Sequence, residues 1–185
     1  MALEALAEQL PAYARDVAQN LLALEQETPL TVQQLWGAFV ASSHAVAEPS
    51  VIQAIEAAAI AAGAAPLALD AARGAAAVMA QNNVYFRALS LMKNQTYRSM
   101  RSRLRMDIVR RPGVDDIDFH LWCVAVSAVY GCADCLDAHE GVLARRGVDP
   151  LSVQTVLRIA AATHAASRVL AAERGRAVTR PPAQP

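Results

Sequence analysis

Alanine dominates the apolar half of this chain, and that preference confines it to helical folds. Apolar residues make up 55% of the sequence and aromatics only 5%. Alanine stands where a sheet protein would carry valine and isoleucine. It is the best helix former, whereas β-branched side chains favour strands. An all-α fold follows. Its 185 residues suit one domain, long enough to bury roughly 70% of the unfolded chain's surface.

Proline, glycine and capping residues divide the chain into segments. Helical stretches Leu3–Gln9 and Ala12–Glu27 flank Pro11, and Pro29 ends the second. Thr31 caps a helix running to about Ala47, and Glu48-Pro49-Ser50 opens the next, to about Ala62. Pro66 fits the first turn of a long helix reaching Leu91. The polar, basic segment from Lys93 to Asp115 contains the breaker Pro112-Gly113 and reads as a connector with one short helical turn. Asp116 or Asp118 caps a helix carrying Phe119, Leu121, Trp122, Val124, Val126 and Val129, which Gly131 interrupts. A new helix begins near Cys132 and ends at Gly147, and Asp149-Pro150 starts the last, which reaches about Glu173. The sequence therefore predicts a bundle of about eight helices over residues 1–173. The tail, 174–185, has three prolines and no periodic apolar residues, so disorder is expected there. Leu35-Trp36 in the first half echoes Leu121-Trp122 in the second, a short hint of an internal repeat.

Charge excludes some functions. Basic and acidic residues balance at 17 each, and nucleic acid would need a clustered basic face. Arg98, Arg101, Arg103, Arg105, Arg110 and Arg111 form no such motif and read as a solvated connecting segment. No nucleic-acid partner is expected. The N-terminal run carries Glu4 and Glu8 where a signal peptide would need positive charge. The most apolar stretch, Ala57 to Leu69, is too short to span a membrane and contains Gly63 and Pro66. A soluble, cytoplasmic protein with no membrane partner is the expectation. Three cysteines in a reducing compartment then point to redox or metal chemistry rather than to structural disulfides.

The run Gly131-Cys132-Ala133-Asp134-Cys135-Leu136-Asp137-Ala138-His139 concentrates that chemistry. At helical spacing Cys132, Cys135 and His139 fall on one face, one turn apart. A thiolate is the nucleophile that attacks a peroxide, and it needs a lowered pKa or a base to take its proton. Attack leaves a sulfenic acid, which a second thiol converts to a disulfide, and another reductant must reopen it. His139 lies one turn from Cys135 but two turns, about 10 Å, from Cys132. Cys135 is therefore the expected attacking thiol, Cys132 the resolving one and His139 the base. A disulfide needs its Cβ atoms closer than an ideal i,i+3 pair, so the first turn is expected to flex. If Gly131 lets the two helices fold back antiparallel, His120 and His139 lie about 16 and 12 Å from the turn, nearly level.

Several residues take plainer roles. Cys123, in an apolar helix, reads as a small buried hydrophobe. His44 and His164 have no partners at ligand spacing, and Asp137 and Glu140 read as solvated.

Phe119-His120-Leu121-Trp122, Ala125-Val126-Ser127-Ala128 and the run Gly131 to Glu140 resemble the active-site region of the alkyl hydroperoxidase D family. The resemblance extends through Leu104 to Ile108, Pro112-Gly113, Gln81 to Arg87, Leu35-Trp36-Gly37 and Leu10 to Asp16, covering about residues 1–173. It implies an all-helical, carboxymuconolactone-decarboxylase-like fold, a homotrimer and reduction of alkyl hydroperoxides with no bound metal or haem. By position, Cys135 matches the cysteine that becomes the sulfenic acid, Cys132 the proton donor and resolving thiol, and His139 the relay histidine. The resemblance further implies re-reduction by lipoamide on a lipoylated dihydrolipoamide acyltransferase. It also implies electron transfer to the peroxiredoxin alkyl hydroperoxide reductase C.

Two residues depart from that pattern. His120 stands where the family has a glutamate that polarises the relay histidine, and Asp134 stands where some members carry histidine. A carboxylate would stabilise protonated His139, which a neutral imidazole does not, and Asp134 beside the thiols opposes thiolate formation. Both changes predict weakened or pH-shifted peroxidase activity. Three alternatives remain open: a thiol–disulfide electron carrier that reacts poorly with peroxides, a Cys2His2 zinc site built from Cys132, Cys135, His139 and His120, and a non-catalytic helical scaffold.

Overall fold

The structure is a computed structural model that describes residues 2–26 and 29–179. Among these residues there are ten α-helices and no strand. Seven are long: α2 (Arg15–Gln26), α3 (Val32–Val46), α4 (Pro49–Ala61), α5 (Pro66–Leu91), α8 (Asp116–Tyr130), α9 (Ala133–Arg145) and α10 (Pro150–Thr179). Three are single turns: α1 (Glu4–Ala7), α6 (Thr96–Ser99) and α7 (Asp107–Arg110). Pro11 separates α1 from a 3-10 turn at Ala12–Ala14 that leads into α2.

Local chemistry sets most boundaries. Thr31 and Gln34 form a reciprocal capping box at the head of α3. Pro49 and Pro66 occupy first-turn positions of α4 and α5, where a missing N–H costs nothing. The cap of α8 is Asp115, not Asp116 or Asp118, and its carboxylate accepts the Ile117 N–H at 2.8 Å. The connector contains two helical turns rather than one. The last helix continues to Thr179, beyond the expected end at Glu173. Part of the reason is Arg174, whose guanidinium pairs with the buried carboxylate of Glu48 at the head of α4. The remainder of the expected disordered tail, 180–185, lies outside the described residues, as does the expected helix end at Glu27.

Helices α3, α5, α8 and α10 pack on one another at the centre. Both Trp-bearing helices, α3 and α8, are buried almost all round, over Leu35–Ser43 and from Phe119 to Ser127. A helix that is apolar on every face belongs inside a bundle. Here the alanine-rich composition has its use, since small residues let helix backbones approach closely. Trp122, fully buried, packs closely against Gly37 of α3 and donates its indole N–H to the Gln34 carbonyl at 3.2 Å. A Cβ at Gly37 would come within 2.1 Å of the Trp122 indole. Gly37→Ala should therefore destabilise the protein by about 1–3 kcal/mol through overpacking, despite alanine's better helix propensity. A urea-denaturation midpoint equal to or above wild type would contradict this.

Candidate active site at the head of α9

The turn between α8 and α9 is built so that two cysteines meet. Gly131 ends α8 in the left-handed conformation (φ 65°), which glycine adopts without a Cβ clash. The Gly131 N–H donates to the Ala128 carbonyl and the Cys132 N–H to the Ser127 carbonyl, the Schellman pattern. Arg87 of α5 also donates to the Tyr130 carbonyl at the same helix end, where positive charge is favoured.

Cys132 thus sits at the N-cap of α9 with extended backbone (φ −99°, ψ 100°), and Cys135 sits in the first turn. The extended N-cap brings the two sulfurs to 2.6 Å. The ideal-helix geometry behind the expected flexing does not apply to this pair. Cys132 is not helical, so the i,i+3 spacing of an ideal helix does not hold the pair apart. Both thiols are buried, with relative exposures of 0% and 5%.

Antiparallel return of α9 along α8 brings the two histidines level, as the spacing predicts. His120 Nδ1 and His139 Nδ1 are 2.7 Å apart, and their ring centroids are separated by 5.0 Å. One ring must carry the Nδ1 proton and the other must accept it. Two protonated rings would point N–H at N–H, so the pair holds at most one extra proton at this contact. Burial, and then the neighbouring His120, push His139 down to about 4, and burial also lowers His120. Both imidazoles are neutral near pH 7.

Cys135 and the two histidines share one cavity of about 350 Å³. Cys135, Asp134, His120 and His139 lie along it, and its apolar wall comes from Met79 and Phe86 of α5, Met106 and Val109 of the connector, and Val142 of α9. Asn82 is the one amide in the lining, with Nδ2 3.9 Å from the Met106 sulfur. A mainly apolar cleft with a few convergent polar groups is the usual form of a small-molecule site. Sequence reasoning did not assign α5 or the connector to the site. Their signal lay in the runs Gln81 to Arg87 and Leu104 to Ile108, which belong to the family resemblance without carrying reactive groups.

Burial raises the Cys135 thiol well above its ordinary value, and hydrogen bonding and charge at Cys132, then the Asp134 carboxylate, act the same way. Asp134 is not alone, however. Arg98 of α6 reaches it at 2.5 Å, so the basic connector is not merely solvated. With Arg98→Ala the Asp134 charge would act uncompensated on the sulfurs. Alkylation of the reduced thiols by iodoacetamide at pH 7 should slow by roughly threefold. Because the pair is exposed, the difference should shrink in 1 M salt. Equal rates in low salt would show that Arg98 has no electrostatic influence on the thiols.

Other candidates fall where expected. Cys123 is buried, and its thiol is raised by burial and by the proximity of Cys135. His44 bonds Glu56 at 2.8 Å, while His164, Asp137 and Glu140 are exposed. The Nδ1 atoms of His120 and His139 are turned toward each other. Among the described residues no three His, Cys, Asp or Glu side chains form a metal-binding group, and no helix is long and apolar enough to cross a membrane.

Known proteins share this arrangement's sequence. Residues 96–174 match the carboxymuconolactone decarboxylase family. The alkyl hydroperoxide reductase AhpD of Hyphomonas neptunium is 48% identical over 173 residues, covering 94% of this chain and 96% of that protein. Its counterpart in Caulobacter vibrioides is 49% identical, covering 94% of each chain. That of Maricaulis maris is 47% identical, covering 94% of this chain and 99% of its own. With near-half identity along almost its whole length, this all-helical chain with a paired dithiol at the head of α9 belongs to the alkyl hydroperoxide reductase AhpD family.

Proposed function

We propose that the protein is an antioxidant alkyl hydroperoxide reductase that cycles Cys132 and Cys135 between dithiol and disulfide. The observation that carries this reading is the contact of the two sulfurs at the edge of an apolar cavity that also holds the His120–His139 pair. The Cys135 thiol gives its proton to neutral His139, directly or through one water, and the thiolate attacks the outer peroxide oxygen. The O–O bond breaks, the alkoxide takes a proton to leave as an alcohol, and Cys135 becomes a sulfenic acid. The Cys132 thiol then attacks that sulfur and expels water, forming the disulfide. Two electrons have passed from the dithiol to the peroxide.

A dihydrolipoyl group, carried by a lipoylated dihydrolipoamide acyltransferase, returns them by thiol–disulfide exchange. The peroxiredoxin alkyl hydroperoxide reductase C is a second acceptor for the dithiol's electrons. The working assembly is a cytoplasmic homotrimer without bound metal or other resident cofactor. The raised Cys135 thiol favours one second reading, a thiol–disulfide carrier that shuttles electrons between a lipoyl group and a protein disulfide.

Single-turnover thiol loss tests the proposal. Pre-reduced protein given excess cumene hydroperoxide should lose two thiols per chain, and Cys135→Ser should abolish the loss. Intact thiols that oxidised lipoamide still oxidises would establish the carrier instead. Thiols that react only after a chelator is added would establish zinc.

A further inference from the structure

We propose that the connector 93–111 is the docking surface for the protein that re-reduces the dithiol, and that this partner offers an anionic face together with a dithiol on a long arm. The inference rests on the redox reading above and adds where, and by what charge, the reductant is recognised.

Charge in this chain is balanced overall but unevenly placed. Between Lys93 and Arg111 seven basic side chains stand against the single carboxylate of Asp107, a net charge of +6. The rest of the chain carries −6. All seven basic residues are exposed. Arg98 is engaged by Asp134, but no carboxylate among the described residues pairs with Arg101, Arg103, Arg105, Arg110 or Arg111.

Exposure alternates along the irregular run 101–106. Arg101, Arg103 and Arg105 are exposed, while Ser102, Leu104 and Met106 are half-buried. Arg103 is held in the left-handed region (φ 54°), and Gln81 of α5 pins the run by donating to the Arg105 carbonyl at 3.3 Å. Met106, at the end of this run, lines the thiol cavity. The guanidinium row and the cavity are therefore two sides of one short segment. Beside it, Leu91 and Met100 are 77% and 60% exposed, and Tyr97 is exposed as well. Arginine, tyrosine and methionine are the residue types enriched in protein interfaces.

The thiols themselves define the rest of the partner. At 0% and 5% exposure, Cys132 and Cys135 are reached by a segment that enters the cavity, not by a flat protein face. A reducing sulfur must enter the cavity on a slender arm while the body carrying it stays outside. One thiolate of the arm attacks the disulfide, releasing one cysteine thiolate and leaving a mixed disulfide. The arm's second thiol then displaces the other cysteine and closes the arm's own disulfide. Two electrons and two protons pass to Cys132 and Cys135. The body's place is the rim, where +6 attracts an anionic face and speeds encounter. A nucleic acid would need the positive charge to continue over a larger surface, and the remaining −6 opposes that.

The test compares two donors reducing the fully oxidised protein, a lipoylated dihydrolipoamide acyltransferase and free dihydrolipoamide. The protein donor should be the more salt-sensitive. In Arg101→Glu/Arg103→Glu/Arg105→Glu, the rate ratio of protein donor to free donor should fall at least tenfold, and the salt dependence should flatten. Arg101→Lys/Arg103→Lys/Arg105→Lys should retain most of the wild-type ratio. An unchanged ratio in the glutamate variant would overturn the docking surface, as would equal slowing with both donors. If the glutamate variant instead loses only binding to anionic phospholipid vesicles, the strip is a membrane site and the proposal fails. Failure of free dihydrolipoamide to reduce wild type would overturn the redox reading beneath it.

Discussion

Cys132→Ser should leave Cys135 able to react once with a hydroperoxide and then stop. The expected product is a sulfenic acid that persists, because the sulfur that would expel water is gone. Steady-state turnover with dihydrolipoamide should fall by on the order of a thousandfold, since a residue that works only as one of a unit takes the unit with it. One equivalent of cumene hydroperoxide should still be consumed, and dimedone should label Cys135 by one adduct per chain. Cys135→Ser, by contrast, should consume none. The asymmetry follows from position. Cys135 and His139 line the cavity together, whereas Cys132 is the more deeply buried and meets the outside through Cys135. Dimedone labelling at Cys132 in a Cys135→Ser protein would reverse the assignment of roles.

His120→Glu should raise the rate at neutral pH and move its pH dependence. In the wild type, His139 is pushed down to about 4 by burial and by His120, so it is neutral throughout the physiological range. The thiol it serves is raised. Peroxide consumption by the wild type should therefore climb with pH on the thiol's side. Protonation of His139 should impose no loss until the pH approaches 4. A carboxylate at position 120 would favour the imidazolium and raise His139 by about 1–3 units. The thiolate–imidazolium pair would then form more readily, with roughly a tenfold faster reaction at pH 7 and a plateau reached nearer neutrality. Superimposable profiles would show that His120 has no part in the relay.

The same residue links pH to stability. With its folded value below its unfolded one, neutral His139 contributes stability that is fully present above about pH 6.5 and is lost as pH falls toward 4. The glutamate variant should lose less over that window in urea titrations.

Much of this architecture is written locally. Thr31 with Gln34, Pro49 and Pro66 start helices by chemistry confined to a few residues, and all three boundaries are present. The run from Phe119 to Val129 marks a central helix because apolar side chains lie on nearly every face of it. The reactive run from Cys132 to His139 is likewise local. Helical periodicity alone relates Cys135 to His139, and a glycine-made reversal relates His139 to His120.

What lies at greater sequence separation could not be read in the same way. Arg98 and Asp134 are 36 residues apart, and the cavity wall joins α5, the connector and α9. Such meetings depend on how helices dock, and an alanine-rich surface carries little shape to dictate docking from sequence. The extended N-cap at Cys132 escaped for a different reason. Whether a residue is the first of a helix or the last before it turns on one ψ angle, and cysteine has no capping preference that would betray it. Local chemistry thus accounts for the helices, the dithiol and the base. Packing between distant segments accounts for the rest, because such contacts form only when the bundle docks: Arg98 answers Asp134, and α5, the connector and α9 together wall the apolar cavity beside Cys135 and the histidines.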